Sequence, residues 1–331
     1  MIKAENLSKT FTVHKKAPGL MGSIKSLVFR QKILREAVKG ATFEVNEGEI
    51  VGLVGANGAG KTTLVKMLAG IIHPTSGNAR VLGYCPWERD NRFRRQIALI
   101  MGQKAQLWWD LPAADCFLLL KEIYEIPERD YEDRLAHLSR VLAVSDLLNI
   151  QIRRLSLGER MKMELIAALL HAPRVVFLDE PTIGLDITAQ RAIREFILDY
   201  QKQHRPAMIL TSHYMDDIEN LCDRIIIIRH GEFVYDGGLE EVVRRYAHHK
   251  IVAAHLQEGF DCGGVQADVA KFGEVLSCEK GELRLSVRRE QVPRVVGQLV
   301  STYPIVDISI EEAEIGTIIE GIMAGREGVE T

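Results

Sequence analysis

The chain has 331 residues, room for one large domain and a smaller one. With 47% hydrophobic and 26% charged residues it is neither disordered nor fibrous, and a net charge of −3 argues against a general nucleic-acid binder. No apolar run approaches the ~20 residues of a membrane span, and the five cysteines are scattered without a C-x-x-C pair, as reduced thiols would be. The first six residues lack the charged-then-apolar layout of a secretory leader.

Residues 1 to about 13 and 41 to 55 read as strands, the second alternating through Ala41-Thr42-Phe43-Glu44-Val45 before a turn at Glu47-Gly48. Between them lies a basic insert, residues 14–39, with Lys15, Lys16, Lys25, Arg30, Lys32, Arg35 and Lys39 against Glu36, and with Leu20, Ile24, Leu27 and Val28 at helical spacing. Two readings of the insert stand side by side: a solvated charged hairpin, or a contact with anionic headgroups or a membrane-subunit loop. The apolar run Ile50-Val51-Gly52-Leu53-Val54 then leads into Gly55-Ala56-Asn57-Gly58-Ala59-Gly60-Lys61-Thr62, a phosphate-binding loop between a buried strand and a helix. Its glycines let consecutive N–H groups turn inward around an anion, and the following helix adds its positive end. Lys61 is placed to reach the outer phosphates and the Thr62 hydroxyl to ligate Mg²⁺. The chain is therefore expected to bind a nucleoside triphosphate.

A strand over 97–101, helices over 113–148 broken near Pro127, and a helix over 157–171 follow. Leu155-Ser156-Leu157-Gly158-Glu159-Arg160 opens that last helix, with Ser156 as N-cap and Glu159 at capping-box spacing, so its N-terminus is a second phosphate-attracting end. Val175-Val176-Phe177-Leu178 is a continuous apolar strand of parallel-sheet type ending in Asp179-Glu180. Asp179 is placed to hold Mg²⁺ and Glu180 to polarise an attacking water. Helix 187–203, strand 208–210, helix 215–221 and strand 225–228 continue the alternation, which predicts an α/β domain on a mainly parallel sheet. Beyond about residue 246 short alternating strands (251–256, 274–278, 283–287, 305–310) and helices near 265–272, 290–301 and 313–323 predict a β-α-β-β-α-β ferredoxin-like unit.

Taken in order, these landmarks resemble the nucleotide-binding domain of ATP-binding cassette (ABC) transporters over roughly residues 1–240. The resemblance implies a P-loop NTPase cassette at 1–245, with an antiparallel β subdomain and a mostly helical subdomain at 104–172, plus an α+β accessory domain at 246–331. By that likeness Gly55, Asn57, Gly58, Ala59, Gly60, Lys61, Thr62 and Thr63 form the Walker A loop. Gln103 is the Q-loop glutamine, catalytic and metal-contacting, and Ser156, Gly158 and Glu159 belong to the family signature. Asp179 is the Walker B aspartate, Glu180 the catalytic glutamate, Asp186 part of the D-loop, and His213 the switch histidine. Phe11 stands where the family stacks adenine. ATP and Mg²⁺ are the implied cofactors.

The usual signature, L-S-G-G-Q, is altered at Leu157 and Glu159; the resemblance then implies a working but slow site. The family pairs two ATPase copies head to tail, as a homodimer or a heterodimer, and drives a separate permease from the cytoplasmic face of the membrane. The segments around Lys9–Lys16 and Gln103–Leu111 look most like a branch serving ABC-2-type export permeases, and the C-terminal unit is similar to an appendage of antibiotic- and drug-export ATPases. Two adjacent aromatics, Trp108-Trp109, cannot both face one core from a regular strand, so they are either the permease-facing surface or a locally packed pair. The competing reading is a soluble ABC ATPase acting in ribosome, DNA or iron–sulfur work; a single set of motifs and no sustained heptad run weigh against it. No nucleic-acid partner is expected.

Overall fold

The computed structural model describes residues 1–15, 31–102, 104–246, 249–257, 268–279, 281–312 and 315–324. The chain divides into two compact units, Met1–Asp236 and Gly237–Thr331. In chain order the first runs β1 (Ile2–Lys15), β2 (Gln31–Val45), β3 (Ile50–Val54), α1 (Lys61–Leu68), β4 (Ser76–Val81), α2 (Asn91–Arg94), β5 (Ile97–Met101), α3 (Ala113–Tyr124), α4 (Glu128–Val141), α5 (Leu157–Leu169), β6 (Val175–Asp179), α6 (Ile187–His204), β7 (Ala207–Thr211), α7 (Met215–Leu221), β8 (Arg224–Arg229) and β9 (Glu232–Gly238).

Six strands form one sheet in the order β5-β6-β7-β3-β8-β9, parallel from β5 through β8. All five residues of β3, β6 and β7 are buried, which is why these strands read as unbroken apolar runs: both sheet faces are covered. Register is what positions the chemistry. Met101 lies opposite Asp179, Asp179 opposite Thr211, and Thr211 opposite Leu53, so four strands end level along one edge. Ligands of open α/β sheets bind outside such carboxyl ends.

β1, β2 and β4 make a separate antiparallel sheet, ordered β2-β1-β4, whose inner face (Ile2, Leu7, Val38, Phe43, Val45, Val81) packs in one core with α1, β3 and Phe177. Phe177 is 0% exposed, and truncating such a ring to alanine costs about 3–5 kcal/mol. β1 and β2 pair far beyond the expected strand ends, Phe11 opposite Arg35 and Lys15 opposite Gln31. Within the basic insert read from the sequence as 14–39, residues 14, 15 and 31–39 are strand, paired across the β1–β2 ladder. Leu20, Ile24, Leu27 and Val28 lie outside the described residues.

The second unit comprises α8 (Leu239–Tyr246), β10 (His249–Leu256), β11 (Glu274–Glu279), β12 (Glu282–Arg288), α9 (Val292–Thr302), β13 (Ile305–Glu312) and α10 (Ile315–Ala324). Its sheet order, β11-β12-β10-β13, all antiparallel, is that of a split-βαβ ferredoxin-like unit. Val252, Leu283, Leu285 and Val287 meet Val295 and Leu299 of α9 in its core. The sequence changes texture near 246, but the compact units divide before α8.

Candidate functional site

The loop between β3 and α1 is shaped by steric facts. A Cβ on Gly60, which has φ +119°, would collide with the Ala37 carbonyl of β2, and one on Gly55 would collide with the Ile228 carbonyl of β8. Only glycine lets the loop pass between these strands and still aim its N–H groups at one point. Lys61, 5% exposed, donates to the Gly55 carbonyl and, at 3.3 Å, to that of Ala56. Burial lowers its pKa, while Glu180 and Asp179 oppose the shift.

A cavity of about 500 Å³ opens over this loop. It is lined by the loop and start of α1 (Asn57 to Thr63), by Phe11 and Arg35 of the hairpin, and by Glu180. Asp179 enters from β6 through its bonds. Its Oδ1 accepts from Thr62 Oγ1 at 3.1 Å and from Thr211 Oγ1 at 2.7 Å, the latter a direct result of the β6–β7 register. The donor set suits a hard divalent cation on a polyphosphate. Thr62 and Asp179 offer two protein oxygens that would hold such a cation.

Glu180 follows at φ +56°, a backbone region non-glycine residues rarely adopt, and its N–H is held by both the carbonyl and the hydroxyl of Thr211 at 3.0 and 3.1 Å. Its Oε1 lies 2.7 Å from Nε2 of His213. From the other side Gly102 packs so closely that a Cβ there would strike the Glu180 carbonyl. Gln103, the next residue, lies outside the described residues.

Beneath this pair is a buried network with no counterpart in the sequence reading. Asp217 of α7, 0% exposed, accepts from the hydroxyl of Thr182, from Ser212 Oγ at 2.6 Å and from Arg194 Nη1 at 3.0 Å. Ser212 Oγ in turn accepts the Tyr214 N–H at 3.0 Å. Asp217 therefore clamps the loops that carry Glu180 and His213.

Ser156, Gly158, Glu159 and Asp186 do not line the cavity; they form a second cluster. Ser156 caps α5, with the reciprocal bonds of a capping box: Glu159 carboxylate to the Ser156 N–H and hydroxyl, both 2.8 Å, and Ser156 Oγ to the Glu159 N–H, 3.3 Å. Those bonds hold the Glu159 carboxyl below its usual range. Asp186 caps α6 in the same manner through the Ala189 N–H, 2.9 Å. A Cβ on Gly158 would stand 3.2 Å from that of Ala189, so the two helix N-termini lie side by side.

Trp108 and Trp109 are both about half exposed, 43% and 48%, and the nearby α3 leaves Leu118, Leu119 and Ile123 in solvent. The segment is nonetheless firmly held. Glu164 of α5, 5% exposed, accepts the N–H groups of Gln106 and Leu107 at 2.9 and 3.3 Å, and the Arg160 guanidinium lies 5.1 Å over the Trp109 ring. Of these residues the sequence singled out only the tryptophans. Arg35 stood in the sequence only as one of the basic residues of the insert, and Asp217, Thr182, Arg194 and Glu164 carried no local pattern that could have distinguished them.

Comparison with known proteins follows the same lines. The family model described as "ABC transporter" matches residues 38–183, and one described as "EvrA-like ABC transporter, C-terminal domain" matches 248–311. The ABC transporter ATP-binding protein NatA of Bacillus subtilis is 31% identical over 213 residues, 64% of this chain and 86% of NatA. The ATP-binding protein MJ1023 of Methanocaldococcus jannaschii is 32% identical over 250 residues, 75% of this chain and 81% of its own length. The linearmycin resistance ATP-binding protein LnrL of Bacillus subtilis is 31% identical over 208 residues, 63% and 66% of the two chains. Among solved structures, an ATP-binding subunit of an ABC transporter superposes with a TM-score of 0.63 at 24% identity, covering 81% of this chain and 99% of that one. The dimeric ATP-binding cassette MJ0796, bound to ADP and Pi, gives 0.60 at 21% identity, covering 72% and 98%. The two structures establish the fold.

Proposed function

The chain belongs to the ATP-binding proteins of ABC transporters, and from that premise we propose that it powers an export permease of the ABC-2 type from the cytoplasmic face of the membrane. As a member of that family it is an ATP-hydrolysing subunit that works with a transmembrane permease and pairs with a second ATPase copy. The finer roles are our reading of the geometry. The observation that carries it is the meeting of Glu180 and His213, 2.7 Å apart, at the wall of the P-loop cavity.

In this reading Phe11 receives the adenine, the N–H groups of Asn57 to Thr63 cradle the phosphates, and Lys61 turns from the loop carbonyls to the outer phosphates. Thr62 and Asp179, with Gln103, hold Mg²⁺, which supplies charge neutralisation on the phosphate oxygens. Glu180 orients a water toward the γ-phosphorus and takes up its proton. A bond forms from water oxygen to phosphorus as the bond to the β–γ bridging oxygen breaks, releasing ADP and phosphate. Lys61 and His213 face the charge that builds on the transferred group. Ser156, Gly158, Glu159 and Asp186 lie outside their own cavity, which suits them to the cavity of a second subunit, identical or paralogous, in a head-to-tail pair. Export is supported by the drug-resistance role in the name of LnrL. The exposed Trp108, Trp109, Leu118, Leu119 and Ile123 offer an apolar face for the permease.

Two measurements test this. Glu180→Gln is expected to bind ATP as the wild type does while losing at least 100-fold in turnover, the order of magnitude of general-base catalysis; normal turnover by that variant refutes the assignment. A pull-down from detergent-solubilised host membranes is expected to recover one or two polytopic proteins in near-equal amounts. Recovery of ribosomal or soluble scaffold proteins alone sinks the export reading and leaves the ATPase.

A further inference from the structure

The β1–β2 hairpin brings more than an aromatic platform to the cavity. Phe11 and Arg35 are directly opposite in the antiparallel register, so both side chains project from the same face of the hairpin. Both line the cavity. The Arg35 Nη2 stands 3.1 Å from where a Cβ on Gly58 would lie, which puts the guanidinium against the outer turn of the phosphate loop, where Gly58 itself has φ +78°.

Its neighbours on the hairpin are already engaged. Lys39 pairs with Glu232 at 2.9 Å. Lys9 donates to the His73 carbonyl at 2.7 Å and lies over one face of the Phe11 ring at 5.2 Å. No carboxylate among the described residues pairs with Arg35. The Arg35 guanidinium thus shares the cavity with the phosphate loop, the N-terminus of α1 and Lys61, and with the Glu180 carboxylate that belongs to the site's chemistry. A guanidinium fork matches the oxygens of a phosphate better than any other side chain.

We propose that Arg35 is a nucleotide-binding residue that closes the outer rim of the P-loop over the phosphate chain, while Phe11 beside it serves the base. The inference rests on the ATP-binding reading of the cavity. It divides recognition on one hairpin: an aromatic residue for the base and its cross-strand partner for the charge.

Isothermal titration calorimetry of the full chain with ATP, ADP and adenosine tests it without reference to turnover. Arg35→Ala is expected to weaken ATP and ADP by about tenfold, the size of one charge-assisted contact, and to leave adenosine affinity and the unfolding midpoint unchanged. Arg35→Lys is expected to recover only part of the loss, since a point charge cannot reproduce the fork. Unchanged ATP affinity in Arg35→Ala overturns the proposal. So does an equal loss for adenosine and ATP, which assigns Arg35 to supporting the hairpin. Failure of the wild-type chain to bind ATP overturns the reading underneath instead, so the two failures are distinct.

Discussion

Asp217 offers the most demanding check on the site's construction, because it touches no nucleotide and carries no motif. Replacing it with alanine removes the acceptor from two hydroxyls and the close partner from Arg194, whose side chain is only 12% exposed. Breaking a buried ion pair from one side costs about 3–5 kcal/mol. Asp216 sits 4.0 Å from the same guanidinium and is 75% exposed, so it recovers a small part of that. Two orphaned hydroxyls add about 1 kcal/mol each. The expected loss is about 5 kcal/mol, a fall of roughly 10–20 °C in the unfolding midpoint for a domain of this size. Urea unfolding read by tryptophan fluorescence measures it. Arg194→Ala alone and the double variant complete a cycle, with a coupling of about 2–3 kcal/mol expected between the two. Near-additive single losses, or a loss below about 1 kcal/mol for Asp217→Ala, contradict a clamp built on this pair. Turnover should also fall further than ATP affinity, because Thr182 and Ser212 fix the loops bearing Glu180 and His213.

Two further outcomes follow from titratable groups. His171 bonds to the Ile97 carbonyl at 3.0 Å and stacks on Tyr124 at 3.9 Å, and burial holds its pKa down to about 4. The unfolded chain takes up that proton near 6.5 and the folded chain only near 4, so stability falls as pH drops through that window. Between pH 7 and 5 the loss from this group is about 2 kcal/mol, measurable by urea unfolding at the two pH values; a His171→Phe variant with the same pH slope rules the group out. Glu159 holds the Ser156 N–H and hydroxyl as a carboxylate, a charge ill suited to a partner's phosphate. Glu159→Gln is expected to raise steady-state turnover roughly two- to fivefold, the effect of a screened repulsion under 1 kcal/mol; slower turnover shows instead that the intact capping box matters more.

What could be read from the sequence was whatever consecutive residues impose. The glycine-rich stretch Gly55–Thr62 is a local solution to wrapping backbone around an anion, and Val175–Glu180 announces a buried parallel strand with carboxylates at its end. The strand is present in the structure between β5 and β7, parallel to both, as its unbroken apolar run requires. Arg35 was hidden because its meaning depends on a strand partner 24 positions away (35 − 11), through pairing that its basic surroundings disguised. Asp217 and Glu164 read as ordinary polar helix positions until tertiary packing buries them. β4 (Ser-Gly-Asn-Ala-Arg-Val) escaped for a different reason: an edge strand with one buried face and a glycine near its start has little β propensity of its own.

The separation of the cavity from the Ser156–Asp186 cluster has a genetic consequence. If each working site is assembled from two chains, a Lys61 defect and a Ser156 defect damage different halves. Co-expressed, one allele of each kind can still build a single whole site in a mixed pair, whereas either alone builds none. The two classes of lesion would then complement each other, while a chain broken at both positions would poison every pair it enters. Such a pattern of alleles would report the architecture of the assembly from growth phenotypes alone.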